Sequence, residues 1–168
     1  MNLLEELRER VLRMRSRAKQ ASREAKHRLF VHLFNFRRSF VFRGHAYRYY
    51  YHWYNSTSNT ERSVELPIFF KKVHDCRQGR VLEIGNVLSH YSSSVKHDIL
   101  DKYETMRGVI NMDVLDFKPT YKYDLIVSIS TLEHVGWDEN PRQSGLGVVA
   151  LQHLRVTSLN SGGKAMLP

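Results

Sequence analysis

A chain of 168 residues is long enough for one domain with a real core and an appendage, and too short for two full domains. Its 42% hydrophobic and 26% charged residues are globular values, and no apolar run approaches the roughly 20 residues that cross a bilayer. The formal net charge of +9 is unevenly held: residues 1–43 carry 12 Lys and Arg against 4 Glu, whereas residues 44–168 carry 14 against 13. The positive charge therefore belongs to an N-terminal arm and says little about the chemistry of the rest. A single cysteine, Cys76, excludes an internal disulfide and fits a reducing, cytoplasmic compartment. Glu5, Glu6, Arg8, Glu9 and Arg10 follow Leu3 and Leu4 at once, so no cleavable apolar leader is expected.

Residues 1–43 open with Leu4, Leu7, Val11, Met14, Ala18, Ala21 and Ala25, spaced by three and four with Arg, Lys and Glu between them. The spacing predicts an amphipathic helix, whose stripe weakens to alanine and so makes a poor coiled-coil seam. LFVHLFNFRRSFVF, residues 29–42, follows. A basic amphipathic helix next to Phe-rich sequence can lie in the headgroup plane of an anionic membrane. The competing expectation, and the favoured one, is that these Phe side chains pack on the domain. Residues 44–79 read as an aromatic-rich helical lead-in. YRYYYHWY, residues 47–54, permits stacking on single-stranded nucleic acid, but its positive charge lies upstream instead of being interleaved, which disfavours that partner. A helix start is expected at Asn59 or Thr60, with Pro67 early in the run and Gly79 as a stop.

From Arg80 the pattern changes to short apolar runs separated by polar connectors. Strands are predicted near 80–84, 95–100, 109–114, 123–129 and 164–167, with a crossover helix over 143–159. Runs with little strict alternation are buried on both faces, which points to an α/β fold with a mostly parallel sheet. Residues 86–94 leave room for at most a turn or two of helix.

In this order VLEIG, HDILDKYE, NMDVLDF, YDLIVSISTLEHV and LNSGGKAML, spread over residues 80–168, resemble the successive motifs of class I S-adenosylmethionine-dependent methyltransferases. The resemblance implies a Rossmann-like domain, S-adenosyl-L-methionine as cofactor, and methyl transfer to a small-molecule or glycan-type acceptor. It implies that Glu83 holds the cationic methionine end and that Gly85 lets backbone approach the cofactor. By the same resemblance Asp101 meets the ribose hydroxyls, with Asp98 as competitor, and Asp113 meets the adenine amino group, with Val114 against the ring and Asp116 as competitor. Ser130, Glu133 and His134 follow the fourth strand, where the family places the transferring methyl. His134 is then either a general base or, with Glu133, a packing and hydrogen-bonding pair. His90, His97, Asp98 and Asp101 fall close together, but their spacing matches no paired His ligands, so no metal is expected.

Two departures from the family stand out. Asn86, Val87 and Ser89 occupy the turn where glycines are usual, and Asn86 is the residue whose tolerance of left-handed dihedrals would keep that turn's shape. The family also continues past the fifth strand with a helix and an antiparallel hairpin, so the chain is expected to be C-terminally incomplete, with 164–167 an edge that self-association would cover. The competing class is a methyltransferase-like domain without turnover that acts through its basic arm at a membrane surface or on a partner.

Overall fold

The computed structural model describes residues 3–30, 38–52, 54–94, 96–136 and 145–167. The chain divides into two compact units, Met1–Pro67 and Ile68–Pro168.

The first unit begins with helix α1, Leu3–Phe30, 28 residues long. Every side chain described along it is exposed except the half-buried Glu24. Residues 31–37 of the Phe-rich segment lie outside the described residues. Strands β1 (Ser39–Phe42) and β2 (His45–Arg48) then pair antiparallel, with Phe42 opposite His45. The two-residue loop between them, Arg43 and Gly44, has φ of 48° and 78°, as a type I′ hairpin turn requires. The expected helical lead-in is thus corrected at its start: residues 45–48 are strand. The aromatic run stacks on its own neighbours, with Phe40 5.5 Å from Tyr47 and 5.0 Å from Tyr49.

A 3-10 segment, Tyr54–Asn59, leads to helix α2, Arg62–Asp75. The Thr60 hydroxyl is buried without a hydrogen-bond partner; it is the Thr60 carbonyl that accepts from Ser63 N and Oγ, at 3.1 and 3.0 Å. Pro67 sits inside α2, where its missing N–H strips the Ser63 carbonyl of its helical donor. Tyr50 N–H fills that vacancy at 2.9 Å, which explains how the helix accommodates the proline.

The second unit is built on five parallel strands: β3 (Val81–Ile84), β4 (Asp98–Asp101), β5 (Val109–Asn111), β6 (Tyr123–Ser128) and β7 (Leu159–Met166). Their order is β5-β4-β3-β6-β7. All four residues of β3 and five of the six in β6 are buried, as expected of central strands covered on both faces. The strand boundaries shift: β4 runs to Asp101, β5 ends at Asn111, and β7 begins at Leu159 instead of 164. β7 can start early because it bulges: Tyr123 pairs with Leu159, but Leu125 pairs with Lys164.

Helix α3, Leu146–Thr157, joins β6 to β7. It sends Ala150 and Leu154 into a core with Leu82, Ile84, Leu100 and Ile126. Gly147 lets α3 approach closely, since a Cβ there would meet the Leu132 carbonyl. The other connectors are short. Residues 102–108 return the chain from β4 to β5 without a helix, which works because β5 is only three residues long, about 10 Å, and seven extended residues reach about 23 Å. In the β3–β4 connector the regular piece is one 3-10 turn, Leu88–His90.

The unit is therefore a mixed α/β structure with a five-stranded parallel sheet, compatible with a Rossmann-like fold. The chain leaves β3 for β4 and β5 on one side and returns to β6 on the other, so a crevice opens beyond the carboxyl end of β3. Among the described residues no helix is long and apolar enough to cross a membrane.

Candidate functional site

A cavity of about 250 Å3 lies at that carboxyl end. Ile84 and Gly85 enter it from β3, Asp101 from β4, Asp113 and Val114 from the loop after β5, and Ser130 and His134 from beyond β6. Of the residues singled out in the sequence, the cavity gathers Gly85, Asp101, Asp113, Val114, Ser130 and His134. Glu83, Asn86 and Glu133 do not line it.

Gly85 has φ of +83°, and a Cβ built on it would meet the Thr131 side chain. What presses on this glycine is the loop after β6, a packing reason for glycine here that is independent of the cofactor approach expected of it. That loop is itself constrained. Ser130 takes φ of 48°, uncommon for a residue with a side chain, and Thr131 Oγ1 donates to the Ile129 carbonyl at 3.1 Å.

Glu83 is fully buried and has other partners than a ligand. Its Oε1 accepts from Val87 N–H at 2.9 Å and Leu88 N–H at 2.8 Å, while Oε2 meets His97 Nε2 at 2.5 Å. The carboxylate braces the turn after β3, doing by side chain what additional glycines do by backbone freedom. Asn86 is not left-handed; among the described residues the non-glycines with positive φ are Arg43, Asn55 and Ser130. Asn86 instead accepts from the Ser89 hydroxyl through Oδ1 and donates its N–H to Asp101 Oδ2 at 3.4 Å.

Asp101 and Asp98 sit at opposite ends of β4. Asp101 faces the cavity, and its Oδ1 accepts from Tyr103 and Glu104 N–H, both at 2.8 Å, leaving Oδ2 toward the β3 turn. Asp98 accepts from the hydroxyls of Tyr121 and Tyr123, both at 2.9 Å, at the amino end. Burial first, then Asp98, raises the Tyr123 phenol well above its ordinary value, so it stays a donor.

Asp113 accepts from Leu115 N–H through Oδ1 and from Lys102 Nζ through Oδ2, each at 2.9 Å. Burial raises its pKa, but the Leu115 N–H and the Lys102 ammonium outweigh this and hold the carboxyl below its ordinary value. Asp116 is exposed and lies off the cavity. Lys102, which also lines the cavity, was missed in the sequence; the cue was its place beside a strand-end acid. Thr131, Tyr103 and Met112 line it too.

His134 ends a 3-10 turn, Leu132–His134, with its side chain exposed on the cavity wall. It makes no side-chain hydrogen bond among the described residues, and Glu133 is exposed and does not line the cavity. His97 meets Glu83 and Asp98 meets two tyrosines, while His90 and Asp101 meet the side chain and the N–H of Glu104; among the described residues no group of three or more His, Cys, Asp or Glu could hold a metal.

Comparison with models of known protein families and with the sequences of curated proteins found no match for this chain.

Proposed function

We infer that the second unit is a Rossmann-like S-adenosylmethionine-binding domain that transfers a methyl group to an oxygen or nitrogen acceptor. The observation that carries this reading is the convergence, around one cavity at the sheet's switch point, of Gly85, Asp101, Asp113, Val114, Ser130 and His134. Those residues were singled out by motif order alone and come from four different strand ends.

The donor set fits the cofactor. Its ribose hydroxyls and adenine amino group donate hydrogen bonds, and the cavity offers carboxylate acceptors at Asp101 and Asp113, with Val114, Leu100 and Val135 as apolar surface for a ring. When bound, the cofactor supplies an electrophilic methyl on a positively charged sulfur. Asp101 Oδ2, whose contact with Asn86 N–H is a long 3.4 Å, would be the oxygen to accept from the ribose. Asp113, held below its ordinary pKa against its burial by Leu115 N–H and Lys102, would accept from the amino group. Glu83 holds the β3 turn in place from behind, through Val87 and Leu88 N–H and His97. His134 takes a proton from the acceptor; a positioned base of this kind contributes about 10²- to 10⁴-fold.

A thermal-shift titration with S-adenosylhomocysteine tests the reading. At about 100 times its dissociation constant the ligand should add about 2.7 kcal/mol. Asp101→Ala and Asp113→Ala should lose the shift, and Asp116→Ala should keep it. No shift in the unaltered protein, or equal shifts in all three variants, would count against the site.

A further inference from the structure

Helix α1 is not absorbed by that function, and its charges are sorted around its axis. At about 100° per residue, Leu7, Val11, Met14, Ala18, Ala21, Ala25 and Leu29 share one face. Arg8, Arg15, Lys19 and Lys26 border it on one side, and Arg10 and Arg17 on the other. The acids stand further round: Glu5 and Glu9 fall nearly opposite the stripe, and Glu6 and Glu24 lie behind Arg10 and Arg17. The acids draw two arginines to themselves, through Glu6–Arg10 at 3.4 Å and Glu9–Arg13 at 3.1 Å. Arg8, Arg15, Arg17, Lys19 and Lys26 make no ion pair among the described residues.

The stripe is open to solvent, with Leu7 49%, Val11 47%, Met14 70% and Leu29 59% exposed. A second copy of the helix is a poor cover for it. In either orientation a dimer seam would set basic flank against basic flank, and beyond Met14 the stripe offers mainly alanine. An interior protein face would strand the unpaired cations. An anionic bilayer surface meets both demands: acyl chains take the apolar stripe while the flanking Lys and Arg reach outward to headgroup phosphates and carboxylates. The hairpin between β1 and β2 repeats the chemistry at its tip, where Val41 is 74% exposed and the Arg43 guanidinium lies 5.4 Å from the Phe42 ring centroid.

We propose that α1 is an interfacial helix that binds the N-terminal unit to membranes bearing anionic lipid. Because the stripe is narrow and soon reduced to alanine, the attraction is mainly electrostatic, so it requires anionic headgroups and yields to salt.

Co-sedimentation of the full chain with vesicles tests this directly. Vesicles of phosphatidylcholine containing phosphatidylserine should bind at least about tenfold more tightly than pure phosphatidylcholine, and binding should fall as salt rises from about 0.1 to about 1 M. The variant R8E/R15E/K19E/K26E should lose the preference, and L7S/V11S/M14S, which keeps every charge, should weaken binding to the anionic vesicles several-fold. Thermal melting of both variants checks that they remain folded. Absence of binding, equal binding to both vesicles, or an unchanged preference in the charge-reversed variant overturns the proposal. So does tight binding of single-stranded RNA that anionic vesicles fail to displace. None of these readouts depends on S-adenosylhomocysteine, so failure here leaves the proposed activity standing.

Discussion

In the sheet unit Leu82, Val127, Ile129 and Leu154 are wholly removed from solvent, whereas along α1 of the N-terminal unit Leu7, Val11 and Met14 are each about half exposed or more. Both segments are patterned for burial: the strands by unbroken apolar runs, the helix by a three-and-four spacing. The strands find their cover within the chain, at roughly 25 cal/mol per Å2 of apolar surface removed from water. The stripe on α1 has no such cover among the described residues. Amphipathic spacing therefore identifies a surface that needs a partner without saying whether that partner belongs to the same molecule.

Substitutions can break or sharpen this contrast. The largest effect should come from the centre of the sheet, where Leu82→Ala is expected to cost about 2–5 kcal/mol in urea unfolding. Met14→Ala on α1 should change stability by less than about 0.5 kcal/mol; a comparable loss would show that α1 is packed after all. Next comes Gly85→Ala, which combines a positive φ with contact against Thr131 and should cost about 2 kcal/mol, partly recovered in the double variant with Thr131→Ala. His134→Ala should leave binding of S-adenosylhomocysteine unchanged while lowering kcat by about 10²-fold or more on the acceptor, a split that a purely packing histidine would not produce.

A smaller effect should appear with acid. Asp113 is held below its ordinary pKa against its burial, by Leu115 N–H and Lys102, and Asp124 by the Arg80 N–H and Asn160. A folded-state pKa below the unfolded one adds stability above the unfolded value of about 4, and that stability is lost as pH falls through the lowered folded value. Unfolding midpoints should therefore drop below about pH 4, and Asp124→Asn should flatten the drop. Smallest of all, Glu9→Gln, which breaks an exposed pair with Arg13, should move stability by less than about 0.5 kcal/mol.

The sheet was legible because buried parallel strands must be apolar, and five such runs stand out against polar connectors. Their ends were less so: β7 starts five residues early through a bulge that Gly162 and Gly163 permit but do not announce. The hairpin was missed although SFVF-RG-HAYR contains a two-residue turn; residues 44–79 read as one helical lead-in, and its first four residues after the turn are strand instead. At the site, motif order located the residues that share the cavity, but not the work of Glu83. Its partners are two backbone amides and a histidine fourteen positions away, and only the folded chain brings those together. Lys102 and Asp113 likewise meet across two strand ends.

The short connectors also bear on the order of folding. Ile99 pairs with Val109 and Leu82 with Asp98, ten and sixteen positions apart, whereas Leu82 pairs with Ile126 across forty-four. Closing the longer loop costs more chain entropy and delays the contact. The β3-β4-β5 half is thus expected to zip first, with β6 docking afterward. Ser130 and His134 arrive with β6, facing Gly85 and Asp101 from the earlier half. The cavity is expected to be among the last features to form, so an intermediate with native β3–β4 amide protection would still lack a site.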